Sequence, residues 1–240
     1  MTEQSSTART QLPLYFLPGT LCNADMFKAQ ISALKDQNVN VITIDFSTQR
    51  SIDEMVETTL KVMNNRPGNL CGFSMGGLVA LALAKKHPKL VARLCLMSSN
   101  CHADIPEKKA LREEHVKQAK ELSLQAILQK FYLPNYLYQD NDKHFQTIST
   151  MAETLGIECF EAQLAALSTR EDTLSVLQNI TCPVTIIAGE NDKLCTKAHQ
   201  LHMHEHCNNS DLFLLNQCGH FPMLERESTV LTLLEDWLTR

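Results

Sequence analysis

Serine is a weak nucleophile until a base takes its proton, so a reactive serine needs a histidine beside it and a carboxylate to orient that histidine. Ser74 lies in Gly72-Phe73-Ser74-Met75-Gly76-Gly77, where a strand-like run ends and the helical stretch LVALALAKKH begins. A serine at so sharp a turn takes strained backbone geometry, and the residues two before and two after it must be small for helix and strands to approach. With eight glycines and 14 serines in 240 residues, chance would produce such a G-x-S-x-G roughly 0.015 times per chain, so the spacing carries information but does not decide alone. The partners follow. Asp192 ends Gly189-Glu190-Asn191-Asp192, just past the run PVTIIA, and His220 sits in Cys218-Gly219-His220-Phe221-Pro222, just past LFLLNQ. Asp192 would accept a hydrogen bond from one imidazole nitrogen and fix the tautomer, leaving the other to face Ser74. Alone, such an Asp reads as a helix cap or turn residue and such a His as a surface or core residue. Together, at three strand ends in sequence, they predict nucleophilic catalysis. Glu190 and Asn191 compete with Asp192 for the acid role, and Glu190 reads as solvated.

Acyl transfer also needs donors where an oxyanion forms. The backbone N–H of Met75, at the start of the helix after Ser74, is one. The other is expected from Leu17-Pro18-Gly19-Thr20-Leu21, with Thr20 first and Leu21 second, although the same stretch reads as an ordinary Pro-Gly turn. Six of the eight glycines, at 19, 72, 76, 77, 189 and 219, fall in these four loops.

The elements that must position these residues are legible as short apolar runs at 12–18, 39–46, 69–73, 91–97, 183–188 and 211–215. Helix-period segments at 24–36, 51–64, 75–86, 194–206 and 227–238 alternate with them, and in the last Val230, Leu231, Leu234, Trp237 and Leu238 recur at three- and four-residue spacing. Such alternation predicts a parallel sheet with crossover helices, an α/β fold. Residues 103–178 hold no convincing strand. Roughly 103–170 reads as a helical insertion over the sheet's carboxyl edge, carrying Phe131, Tyr132, Tyr136, Tyr138, Phe145 and Phe160. Phe73, Phe131, Tyr132, Tyr136 and Phe160 are the expected substrate-binding residues.

Composition bounds the rest. A chain of 240 residues with 44% hydrophobic content is long enough for one core, so a single domain over 1–240 is expected. A formal net charge of −5 and the lack of a Lys/Arg run argue against a nucleic-acid partner. The polar opening MTEQSSTARTQ and the absence of a spanning apolar run argue against a signal peptide and a membrane partner, making a cytoplasmic location the expectation. Nine cysteines, an odd number with no C-x-x-C pair, predict reduced, mostly buried thiols. His199, His202, His204, His206 and Cys207 share a helix-like segment, and His202 and His206 could hold a metal from four residues apart. No supporting carboxylate or buried site is evident there, so the expectation is an exposed helix and no metal. Oligomeric state is not legible.

The motifs P-G-T-L at 18–21, G-F-S-M-G-G at 72–77, G-E-N-D at 189–192 and C-G-H-F-P at 218–222 resemble the α/β-hydrolase superfamily over nearly the whole chain. Within it, size and elbow sequence resemble small bacterial esterases of the pimeloyl-ACP methyl ester esterase group and the SHCHC synthase group. That resemblance implies a helical cap, no cofactor, the chain order Ser, acid, His, and hydrolysis of an ester, thioester or related acyl compound, small-molecule or linked to acyl carrier protein. A lyase or C–C bond hydrolase using the same residues and a non-catalytic binding protein remain as alternatives. Two departures stand out. Only about eleven residues precede the first strand, so the usual N-terminal strand pair is expected to be missing and the sheet to have about six strands, and Pro18 stands where relatives often carry histidine. The loop after the second strand, Asp45-Phe46-Ser47-Thr48-Gln49-Arg50, lacks a glycine-rich stretch.

Overall fold

The computed structural model describes residues 12–239. The opening segment 1–11, expected to lack a signal peptide, lies outside the described residues. In chain order the elements are β1 (Leu14–Leu17), α1 (Lys28–Asp36), β2 (Val41–Thr43), α2 (Ile52–Met63), β3 (Gly68–Phe73), α3 (Met75–Lys86) and β4 (Val91–Met97). Next come α4 (Pro106–Glu121), α5 (Leu124–Ile127), α6 (Leu133–Tyr136), α7 (Asp142–Leu167) and α8 (Leu174–Asn179). The chain closes with β5 (Val184–Gly189), α9 (Lys197–Glu205), β6 (Ser210–Leu215), α10 (Pro222–Glu225) and α11 (Glu227–Thr239). A 3-10 turn at Ala24–Phe27, capped by the Asn23 side chain, leads into α1, and a π turn at Leu128–Tyr132 joins α5 to α6. Among the described residues no helix is long and apolar enough to cross a membrane.

Each expected apolar run forms a strand, and the six pair in parallel in the order β2-β1-β3-β4-β5-β6. The runs do not alternate polar with apolar because both faces of the sheet are covered. On one face Met55, Val56, Leu60, Leu81 and Met203 pack under α2, α3 and α9. On the other, Phe16, Phe27, Leu34, Val230, Leu234 and Trp237 pack under α1 and α11. The expected strand over 39–46 pairs only at Val41–Thr43, since β2 is an edge strand whose one neighbour, β1, is four residues long.

The strand order places the site. The chain leaves β1 for β2 on one side, and from β3 onward it builds on the other, so the crevice at the carboxyl ends of β1 and β3 is a topological switch point. The loop after β1 carries Thr20 and the turn after β3 carries Ser74. Between β4 and β5 stand α4 to α7, in the region expected to be helical. They join the loop after β1 through a small apolar cluster that includes Leu21, Ala119, Ile127, Phe160 and Leu164.

The approach of α3 to the sheet tolerates no side chain at Gly76, where a Cβ would collide with the carbonyls of Leu17 and Pro18. Backbone on both sides of that contact leaves no flexible atom to yield. Gly76→Ala should therefore cost about 3 kcal/mol, a fall in Tm of roughly 6–12 °C for a chain this size. Thermal unfolding followed by circular dichroism measures it, and an unchanged Tm would refute the packing argument.

Candidate active site

Ser74 caps α3 at φ 50°, ψ −112°, a backbone conformation rare outside glycine. Its neighbours hold it there. Ser74 N–H donates to the Met97 carbonyl at 2.9 Å, and its own carbonyl accepts from the Ser99 hydroxyl at 2.8 Å and from Gly77 N–H at 3.0 Å. The strained turn lifts the hydroxyl out of the sheet toward His220, whose Nε2 is 3.1 Å from Ser74 Oγ. On the far side of the ring, Nδ1 is 2.8 Å from Asp192 Oδ2.

The tautomer follows from the partners. Asp192 Oδ1 accepts the N–H groups of Leu194 and Cys195 at 2.8 and 2.9 Å, hydrogen bonds that suit a carboxylate. An ionised Asp192 only accepts, so Nδ1 carries the imidazole proton and Nε2 presents its lone pair to the serine hydroxyl. Asp192 and His220 are both buried. The His220 loop is held by its own N–H donating to the Tyr136 carbonyl at 2.6 Å, with the rings of Phe73 and Tyr136 at 5.0 and 5.9 Å from the imidazole. Gly189, at the end of β5, packs directly on the carbonyls of Cys218 and Gly219, which brings the Asp192 and His220 loops together. Glu190 is outside this arrangement, ion-paired with Lys197 at 2.5 Å.

Met75 is the first residue of α3, so its N–H has no intrahelical partner. In the loop after β1 the two candidates separate. Leu21 N–H is committed to Gln163 Oε1 at 2.7 Å, whereas the Thr20 N–H makes no hydrogen bond among the described residues and Thr20 lines the cavity beside Ser74. Gln163, reaching from α7, also donates to the Phe46 carbonyl at 3.0 Å and so ties this loop to the one after β2.

A cavity of about 380 Å³ opens over Ser74 and His220. Phe73, Phe131, Tyr132 and Tyr136 line it as expected. Phe160 does not: it is fully buried in the cluster beneath α4 to α7, with its ring edge-on to Tyr132 at 5.9 Å. Tyr138 and Phe145 also lie outside the lining, Phe145 packed on the core under α11. Three further groups of the lining, Lys108, Arg112 and Arg170, escaped notice because charged residues in helical stretches read as solvated. Asp104 braces the two arginines. Burial opposes the ionised form of Asp104, but the hydrogen bond from Arg112 and the charge of Arg170 outweigh it and hold the carboxyl below its usual range. Burial pulls Arg170 in turn below the usual arginine range. Glu225 was missed as well. It accepts the N–H groups of Gly219, Phe221 and Tyr138, pinning the His220 loop to the segment after α6.

A larger hollow of about 540 Å³ lies between α3, α8 and the start of β4, where Cys182 and Lys85 bring no base to a nucleophile. All nine cysteines are free and eight are buried, as the odd count predicts. Among the described residues three clusters offer metal-ligand atoms within 4.8 Å of one another: Cys101, His102 and His202; His202, Glu205 and His206; and Asp192, Cys195 and His220. In the first, burial and the neighbouring His202 lower the pKa of His102, and the two rings stack at 5.3 Å. The third shares its histidine and carboxylate with Ser74.

A family model for the alpha/beta hydrolase fold matches residues 12–227. The pimeloyl-[acyl-carrier protein] methyl ester esterase of Aromatoleum aromaticum is 31% identical over 183 residues, spanning 70% of this chain and 72% of its own. Among solved structures, MenH from S. aureus superposes with a TM-score of 0.87 at 20% identity, covering 97% of this chain and 95% of its own. A thermophilic esterase from Thermogutta terrifontis gives 0.86 at 22% identity, covering 95% and 89%. At such identities the structural likeness speaks for the fold alone.

A serine hydroxyl polarised in this way should react with a fluorophosphonate probe at Ser74. Asp192→Asn should slow labelling on the order of 10³- to 10⁴-fold, with Glu190→Gln within twofold of the parent. Rates from intact-mass spectrometry would decide it, and the reverse ranking would make Glu190 the orienting acid.

Proposed function

The chain belongs to the α/β-hydrolase family, and on that premise we propose that it is a serine esterase cleaving a carboxylic ester or thioester of small to medium acyl size through an acyl-enzyme. The observation that carries this reading is the continuous hydrogen-bonded path from Asp192 through His220 to Ser74, opening into a cavity lined by the same serine and histidine. Ser74 Oγ attacks the carbonyl while His220 Nε2 takes its proton, and Asp192 stabilises the imidazolium that results. The oxyanion meets the N–H groups of Met75 and Thr20 at the positive end of α3. His220 then protonates the departing alkoxide or thiolate, and water repeats the attack on the acyl-serine with the same base. Neither step asks for a cofactor.

In this reading the described residues, 12–239, form one domain in which the helices of 103–170 act as a cap that excludes water from the reacting carbonyl. The relatives named for a pimeloyl-[acyl-carrier protein] methyl ester support an acyl compound, free or carrier-linked, as the substrate. Eight buried thiols suit a reducing compartment, and the proposal places the enzyme in the cytoplasm.

Ser74→Ala should lower ester hydrolysis on the order of 10⁴-fold or more with an unchanged circular dichroism spectrum. Retention of activity in a contamination-controlled assay would overturn the assignment.

The cavity volume sets a second expectation. About 380 Å³ is near the lower end of ligand sites, and each methylene accommodated contributes roughly 0.8 kcal/mol until the chain outgrows the space. For p-nitrophenyl acetate through palmitate, kcat/KM should rise and then fall, with the optimum at short to medium chains. A steady rise to palmitate would contradict a confined pocket. Activity should also survive EDTA, and a loss restored by zinc would bring the metal-competent clusters into the mechanism.

A further inference from the structure

Two guanidinium groups and an ammonium group line the cavity over Ser74, and one carboxylate answers them. Arg112 of α4 forks onto Asp104 with its terminal nitrogens 2.6 and 2.9 Å from the two oxygens. Arg170, just past α7, places a terminal nitrogen 2.8 Å from the same carboxylate and donates its Nε–H to the His102 carbonyl at 3.2 Å. The arginine side chains are only 13% and 9% exposed and that of Asp104 is 7% exposed. Among the described residues no other carboxylate pairs with either arginine. Lys108, one turn before Arg112, lines the same cavity and makes no ion pair among the described residues.

A cation held out of water without a matching anion is costly, so a chain that buries two against one carboxylate leaves positive charge for something else to neutralise. A second observation points the same way. His115 is buried and lines the cavity, its Nδ1 is 2.9 Å from the Tyr132 hydroxyl, and its Nε2 has no partner. The cavity thus holds an unspent polar nitrogen beside surplus cationic charge, while the nucleophile belongs to a different wall, built by the sheet loops.

We propose that Arg112, Arg170 and Lys108 form a subsite for a carboxylate carried on the acyl part of the substrate, so that the preferred esters are half-esters of dicarboxylic acids. This deepens the esterase reading above and rests on it. A planar carboxylate matches the donor fork of a guanidinium, and charge-assisted hydrogen bonds of that kind are about twice as strong as neutral ones. Asp104 orients the arginines and leaves part of their charge uncompensated.

The test separates binding from turnover. Monomethyl succinate, glutarate, adipate and pimelate are compared with methyl esters of monocarboxylic acids of matched length. Binding is measured by calorimetry on Ser74→Ala, which holds substrate without consuming it, and kcat/KM on the unaltered enzyme. At least one half-ester should bind and react about tenfold or more better than its neutral counterpart, with the difference in KM. The exposed Lys108→Glu, a position where folding is not at risk, should reduce that ratio about tenfold, and Arg170→Gln should abolish it. Turnover of neutral esters with no preference for any half-ester, in either readout, overturns the subsite and leaves the esterase intact. Preferential binding of half-esters without turnover of any ester supports the subsite and sinks the esterase.

Discussion

The contact between α3 and the ends of β1 and β3 governs the rest of the structure. Backbone meets backbone there, with no Cβ between Gly76 and the Leu17 carbonyl, and the turn that makes the contact must reverse from strand to helix within one residue. Ser74 is that residue. Its φ of 50° stores about 1–3 kcal/mol of strain, offset by hydrogen bonds from both of its backbone groups to β4 and the residues beyond it. The same tightness that strains the serine exposes its hydroxyl and sets the Met75 N–H at the helix terminus. In the proposed mechanism, reactivity and the oxyanion site therefore come from one packing constraint.

Electrostatics then sorts the carboxylates. Asp192 is buried and every hydrogen bond of its carboxylate is to a group that orients or needs a negative charge: two backbone amides and the imidazole of His220. Glu190, two residues earlier, is paired with a surface lysine. Asp104 follows the first pattern with a different result, since it serves two arginines and the balance of charge on that wall stays positive. At His220 the carboxylate's hydrogen bonds are all answered by neutral donors, whereas across the cavity one carboxylate faces two guanidinium groups.

Long side chains that cross from one region to another complete the arrangement. Gln163 reaches from α7 to the loop after β1, and Glu225 gathers the amides of the His220 loop together with Tyr138. Removing α4 to α7 would release the loops on which the reacting groups stand as well as uncover the pocket. The helices are thus coupled to the geometry of the site, with Phe160 and Leu164 forming the apolar joint.

Much of this was legible before any coordinates. Six apolar runs bounded by turn residues became six strands because burial on both faces leaves an unmistakable local signature. Ser74, Asp192 and His220, which the structure brings within hydrogen-bond distance of one another, stood out because each sits at the end of such a run, among small residues the close approach demands, and those are properties of a few consecutive positions. The tertiary structure alone decided matters that depend on groups distant in the chain. It spent the Leu21 amide on a glutamine 142 residues away, leaving Thr20 as the donor with no partner. It turned Phe160 into the core, where composition suggested a pocket wall. It drew Arg112, Asp104 and Arg170 together out of polar stretches that read as solvated and set the two arginines in the wall of the cavity over Ser74. A sequence displays which faces are apolar and which turns are tight, because those preferences act over one or two helical turns. Which side chain faces which is fixed by packing and by the cost of leaving a buried polar group unpaired, and those energies exist only once the chain has folded.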